Sequence, residues 1–267
     1  MNPSPTLPGS LSRLAAYEKA ALALSVLACA FLIIDPLVLG VVREFDPGTR
    51  NFFRGLTYLG KSNWILVLSG ALILLFTWLG AKQASRRSNA AYRLAQQLLL
   101  FLFSTVALSG LGVSLLKNIL GRARPKFFDK LGPVEFQPFT FDHEFASFPS
   151  GHATTAGALA AVLAIVWPRA RLPLFIAGAW IASTRFLIGA HYFSDTVAGC
   201  AIGVASAYFI RDRLALRDWL FRKHEDGSIR LRGGVMLRSA TRNLTSRFEA
   251  FGTDLTEWIK PGNEPRQ

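Results

Sequence analysis

Apolar residues come in long runs along this chain, separated by short stretches rich in Lys, Arg, Gly and Pro. Six runs reach or approach the ~20 helical residues that cross a hydrocarbon core of ~30 Å. They cover Ala20–Val42, Asn63–Ala81, Leu94–Leu116, His152–Trp167, Pro173–Leu187 and Asp195–Ile210. The fourth and fifth are short, which places polar residues at their ends within the interface. Backbone groups in lipid must bond within their own segment, so each run is predicted to be a helix. The expected fold is all-α: a polytopic membrane protein built as a six-transmembrane-helix bundle. Residues 1–19 form a cytoplasmic N-terminal segment, 20–212 the helical domain, and 213–267 a basic cytoplasmic tail. In that tail Leu237, Leu244, Phe248, Phe251, Leu255 and Trp258 recur at three- and four-residue steps. The pattern predicts an amphipathic helix lying on the membrane surface.

Composition supports the membrane reading. Of 267 residues, 51% are hydrophobic and 18% charged, and mean hydropathy is +0.31. A soluble domain carries about a quarter charged residues. Net charge is +13. Much of that charge flanks apolar runs, so an anionic membrane surface accounts for it before nucleic acid does. No nucleic-acid recognition motif accompanies it. With the N-terminus placed in the cytoplasm and the count taken as far as Arg232, inner segments hold fifteen Lys and Arg and outer loops ten. The positive-inside bias then puts both termini inside. Ala28-Cys29-Ala30 resembles a signal-peptidase site, but its apolar run continues to Val42, longer than a signal h-region. The first segment is expected to stay. Cys29 and Cys200 lie within apolar runs and offer neither a disulfide framework nor metal spacing.

Three polar clusters change the picture from membrane protein to enzyme. Lys117 with Arg124-Pro125 ends the third run. Pro149-Ser150-Gly151-His152 opens the fourth. Arg185, His191 and Asp195 span the end of the fifth and the start of the sixth. Six alternating crossings bring all three to one face, the outer one. Charged groups near membrane depth are costly and mark functional sites. His191 and Asp195 are four residues apart, so on a helix they share a face, and a carboxylate there orients and stabilises an imidazole. Helix capping by Asp195 or Ser194 is the alternative. At Pro149-Ser150-Gly151, free N–H groups at a helix start form an anion site. Arg124, Arg185 and Lys117 supply cations suited to phosphate oxygens.

Ten positions in this order and spacing resemble the three motifs of the type-2 phosphatidic acid phosphatase family, whose soluble relatives include the vanadium haloperoxidases. The likeness runs from about Leu94 to Ile210. Thr184 stands where the family usually has serine, and the hydroxyl is retained. Arg122 is a neighbouring cation outside the pattern. The resemblance implies a metal-independent membrane lipid phosphatase with no cofactor. His191 is implied as nucleophile and phosphohistidine carrier, Asp195 as its orienting group, and His152 as general acid and base. Lys117, Arg124, Ser150, Gly151 and Arg185 are implied as phosphate-binding.

A site at the outer membrane–water interface suits a lipid phosphate monoester or diphosphate: phosphatidic acid, phosphatidylglycerol phosphate, undecaprenyl diphosphate or a lipid A phosphate. A bacterial inner membrane with the site facing the periplasm is the expected location, and the lipid bilayer and its phosphorylated lipid are the expected partners. Three other functions share the motifs: a lipid phosphotransferase using the same histidine, a non-catalytic lipid-phosphate binder or transporter, and a vanadate-dependent peroxidase, against which the six apolar spans and the modest length argue. Phe127, Phe128, Phe136, Phe139, Phe141, Phe145 and Phe148 crowd one outer loop. That loop either dips into the interface beside the acyl chains or folds onto the helix tops. Asp142, His143 and Glu144 in the same loop are expected to be solvated rather than metal-bound.

Overall fold

The computed structural model describes Glu18, Ser25, Val26, residues 28–82 and residues 86–234. The predicted tail helix lies outside the described residues. The chain is mainly helical. A π-turn, Ala30–Ile34, leads into α1, Asp35–Arg43, then α2, Pro47–Thr57, α3, Ser62–Ala81, and α4, Arg86–Leu120. A one-turn α5, Phe128–Leu131, precedes α6, Gly151–Val166, α7, Arg171–Leu187, and α8, Phe193–Ala215. Two short antiparallel strands follow, β1, Phe221–Lys223, and β2, Ile229–Leu231, with Phe221 opposite Leu231. This hairpin is the departure from an all-α chain, and it falls in the tail expected to be basic and extramembrane.

Among the described residues three helical stretches are long and apolar enough to span a bilayer: Pro47–Ala81, Asn89–Leu120 and Phe193–Ala215. The remaining predicted spans are shorter or broken. Helices α6 and α7 have 16 and 17 residues, or about 25 Å at 1.5 Å per residue. The first predicted span is interrupted by the π-turn just before Asp35-Pro36. Leu68, Leu74, Trp78, Leu108, Leu111, Leu115 and Trp180 are exposed. Such exposure of large apolar side chains suits hydrocarbon solvent. Contacts divide the chain into two units, residues 1–71 with 100–210, and residues 72–99 with 211–267. In the second, Gln97 donates to the Trp219 carbonyl beside the hairpin.

Small residues hold the first unit together. Helix α6 buries Ala153, Ala156, Ala158, Ala160, Ala161 and Gly157. A Cβ at Gly157 would overlap the Cys200 carbonyl, one at Gly199 the Ser150 carbonyl, and one at Gly203 the Thr154 carbonyl. Helices α6 and α8 therefore meet backbone to backbone, the solution that small residues four apart allow in a membrane. Ile65, Val106 and Ala158 form an adjoining apolar cluster from α3, α4 and α6.

Candidate active site

Local signals place each motif. Lys117 sits in the last turn of α4. The chain then reverses at Gly121, whose φ of +65° and contact with the Gln137 carbonyl exclude a side chain. Beyond it the backbone pairs with the phenylalanine loop, Ala123 N donating to Glu135 O at 3.0 Å and Arg124 N to Glu144 O at 3.1 Å. Ser150 occupies the cap position of α6 in an extended conformation. Its backbone N donates to the Asp195 carbonyl at 3.0 Å, which ties the second cluster to the third. Ser147 N donates to the Arg122 carbonyl at 3.0 Å, which ties in the first.

His191 and Asp195 are buried at the start of α8. Nδ1 of His191 lies 2.8 Å from the Ser147 carbonyl oxygen and 3.6 Å from Asp195 Oδ2. A carbonyl can only accept, so in the neutral ring Nδ1 carries the hydrogen and Nε2 the lone pair. The carboxylate reaches the histidine through Ser147, whose hydroxyl donates to Asp195 Oδ2 at 2.6 Å. Asp195 Oδ2 also accepts from Tyr192 N at 2.9 Å. Asp195 thus caps α8 through Oδ2 while standing 3.6 Å from the histidine ring. Burial pulls the His191 imidazole below the usual histidine range; the Asp195 carboxylate opposes this, and Arg185 and Arg124 add to it.

Behind Asp195 lies a fully buried ionic chain. Arg122 Nη1 donates to Asp195 Oδ1 at 2.5 Å and to Ser194 Oγ at 2.8 Å. Its Nη2 donates to Asp35 Oδ2 at 2.8 Å, and Nε to the Pro133 carbonyl at 3.0 Å. Phe31 and Tyr192 cover the guanidinium, each ring centroid 4.1 Å from Cζ. Asp35 Oδ1 accepts from Ser194 N at 2.8 Å at the positive end of α8.

Arg185 is held from outside the motifs. Its Nη1 donates to Thr57 Oγ1 at 3.0 Å, and Thr184 donates to the same hydroxyl at 3.1 Å. The hydroxyl retained at position 184 thus has a defined partner. Nε of Arg185 and Oγ of Ser150 are buried without a hydrogen-bond partner among the described residues. Buried polar groups are normally paired, and these two orphans fall at positions expected to bind phosphate. The charges of Arg185, His191, Lys61 and Lys117 reach His152, and Gly60 packs against the His152 backbone. Arg124 is turned toward the loop, Nε donating to the His143 carbonyl at 2.9 Å.

The structure gathers all predicted site residues in the first unit and adds others. Asp35, Ser147, Thr57 and Lys61 belong to none of the sequence clusters, and Ser194 was readable there only as a helix cap. A carboxylate inside an apolar run was the readable signal for Asp35. The others sit in ordinary loop or helix-start contexts with no signal of their own. Among the described residues no group of three or more His, Cys, Asp or Glu could hold a metal. The phenylalanine loop divides. Phe136 and Phe148 pack on Phe31, Phe127 stacks on Phe145, while Phe139 and Phe141 are 76% and 88% exposed.

Known proteins resemble this chain. The sequence pattern of the PAP2 superfamily matches residues 98–217. A lipid A 1-phosphatase of Rhizobium etli is 37% identical over 66% of this chain and 79% of its own length. A lipid A 1-phosphatase of Rhizobium johnstonii is 35% identical over 75% of this chain and 85% of its own length. A crystal structure of Aquifex aeolicus LpxE is 22% identical, covers 67% of this chain and 96% of that chain, and superposes with a TM-score of 0.47. The identity and coverage of the two Rhizobium relatives, with the superfamily match over the region that holds all three clusters, show that the chain belongs to the PAP2 superfamily and is an integral membrane phosphatase of that type.

Proposed function

We propose that this PAP2-type lipid phosphatase hydrolyses a lipid phosphate, with the 1-phosphate of lipid A the favoured substrate, through a phosphohistidine on His191. The substrate choice follows the Rhizobium relatives, both lipid A 1-phosphatases. The observation that carries the chemistry is the fixed tautomer: Nδ1–H of His191 is given to the Ser147 carbonyl, which leaves Nε2 as nucleophile.

Nε2 attacks phosphorus in line, forming the N–P bond as the bond to the leaving lipid oxygen breaks. His152, protonated once the negative charge of the phosphate is bound beside it, donates its proton to that oxygen. It then takes a proton from water, whose oxygen attacks phosphorus and releases inorganic phosphate from Nε2. Arg185, Arg124, Lys117, the Ser150 hydroxyl and the Gly151 N–H hold the phosphate oxygens and stabilise charge in both transition states. Ser150 Oγ and Arg185 Nε, buried and unpaired, gain partners only when the phosphate arrives. The active site faces the periplasmic side of a bacterial inner membrane.

The test is phosphate release in detergent micelles containing EDTA, for wild type and His191→Ala. The panel holds lipid A, phosphatidic acid, phosphatidylglycerol phosphate and undecaprenyl diphosphate. Wild type should release phosphate fastest from lipid A and His191→Ala from none. Quenching with alkaline detergent and labelled substrate should trap an alkali-stable, acid-labile phosphoenzyme. Near-wild-type release by the mutant would overturn the chemistry. A better lipid than lipid A would overturn the substrate, and dependence on an added acceptor would make the enzyme a phosphotransferase.

A further inference from the structure

Asp35 lies within the first apolar segment, far in sequence from every motif, yet it is completely buried. An unpaired carboxylate there would be costly, and its two oxygens accept three hydrogen bonds. Oδ2 accepts from Arg122 at 2.8 Å and from Ser194 Oγ at 2.5 Å, and Oδ1 accepts from Ser194 N at 2.8 Å. Arg122 gives its other guanidinium nitrogen to Asp195 Oδ1 at 2.5 Å. Asp195 holds Ser147 by its hydroxyl, and the Ser147 carbonyl holds Nδ1 of His191. Every link is a hydrogen bond between buried groups.

We propose that Asp35 and Arg122 are positioning residues for the reaction. The Asp35–Arg122 pair fixes Asp195, and the triplet Asp35–Arg122–Asp195 leaves one net negative charge behind His191. This inference rests on the phosphohistidine reading.

A doubly charged partner set of Arg122 and Asp195 alone would be neutral overall and would give little stabilisation to a phosphorylated imidazole. Asp35 restores the net negative charge without placing a second carboxylate against the histidine. Arg122 in turn keeps the two carboxylates apart and stops Asp195 from rotating, since both of its oxygens are engaged. The other charged or titratable groups around His191 are Arg185 from α7, Arg124 from the loop and His152 from α6. None of them touches Asp35. Tyr192, which covers Arg122, is pushed up to about 12 by burial and stays neutral.

The pH profile of kcat/KM separates this role from simple support. Its acid limb reports protonation of the free enzyme's nucleophile. Asp35→Asn removes a negative charge behind His191 and should move the limb to lower pH. Arg122→Gln removes a positive charge and should move it to higher pH. A unit charge at this remove shifts the limb by about one pH unit. Both variants should lose kcat more than they raise KM, and Arg122→Lys should return the limb toward its wild-type position. Loosened packing would not produce shifts of opposite sign.

Wild type is trapped as phosphoenzyme in the same series. If wild type traps no phosphohistidine, the parent reading fails. If it does and the limbs of Asp35→Asn and Arg122→Gln coincide with wild type, or move the same way, the positioning role alone is overturned. Should Asp35→Asn not fold, the Arg122→Gln and Arg122→Lys pair decides the matter by the same limb.

Discussion

Ser147 offers His191 a backbone carbonyl at 2.8 Å and offers Asp195 a hydroxyl at 2.6 Å. One loop residue thus joins the carboxylate to the imidazole, and the carboxylate itself stands back at 3.6 Å. The arrangement keeps the ring's hydrogen on Nδ1 whatever the charge state of its surroundings.

Ser147→Ala removes the hydroxyl and keeps the carbonyl. Asp195 Oδ2 then retains only the Tyr192 N–H as a close donor. Leaving part of a buried carboxylate unsatisfied costs about 1–3 kcal/mol. The variant should show a lower melting temperature in detergent and a kcat lower by roughly tenfold, an equivalent of about 1.4 kcal/mol, with KM little changed. Unaltered kcat would show that the hydroxyl does not steady Asp195.

The pH dependence has a definite sign. Burial holds the His191 imidazole below its ordinary value, about 6.5 in the unfolded chain. The folded state therefore binds fewer protons at this group than the unfolded state. Its contribution to stability is full above pH ~6.5 and is lost as pH falls through the folded value. Activity should behave alike, with a neutral nucleophile at pH 7 and an acid limb below pH ~6.5. A limb above that value in a kcat/KM profile would contradict the buried, neutral imidazole.

Gly203→Val places a side chain where the Thr154 carbonyl already lies. Helix α8 cannot approach α6, and Asp195 moves with it. The variant should fail to yield a monodisperse protein by size-exclusion chromatography. Gly110→Ala in α4 adds a Cβ into open space and should purify and turn over as wild type.

Phe139 and Phe141 project from the loop between α5 and α6 with little covering them. Replacing both by Ser should lower kcat/KM on micellar lipid severalfold and leave a soluble short-chain phosphate nearly unaffected. Equal losses on both substrates would place the pair in the loop's packing instead of at the lipid entrance.

Much of this was legible in the chain. The apolar runs specified where helices form because backbone polar groups in lipid have no other partner, and α3, α6, α7 and α8 start within about two residues of the predicted positions. The three polar clusters were readable because their residues lie at fixed local spacings, as His191 and Asp195 do. Tertiary structure alone decided the rest. Asp35 meets Arg122 across 87 residues, and Thr57 meets Arg185 across 128. No periodicity or spacing encodes such partners, because they are selected only when separate helices pack. The approach distance of α6 and α8, set by Gly157, Gly199 and Gly203, then fixes which buried charges face one another.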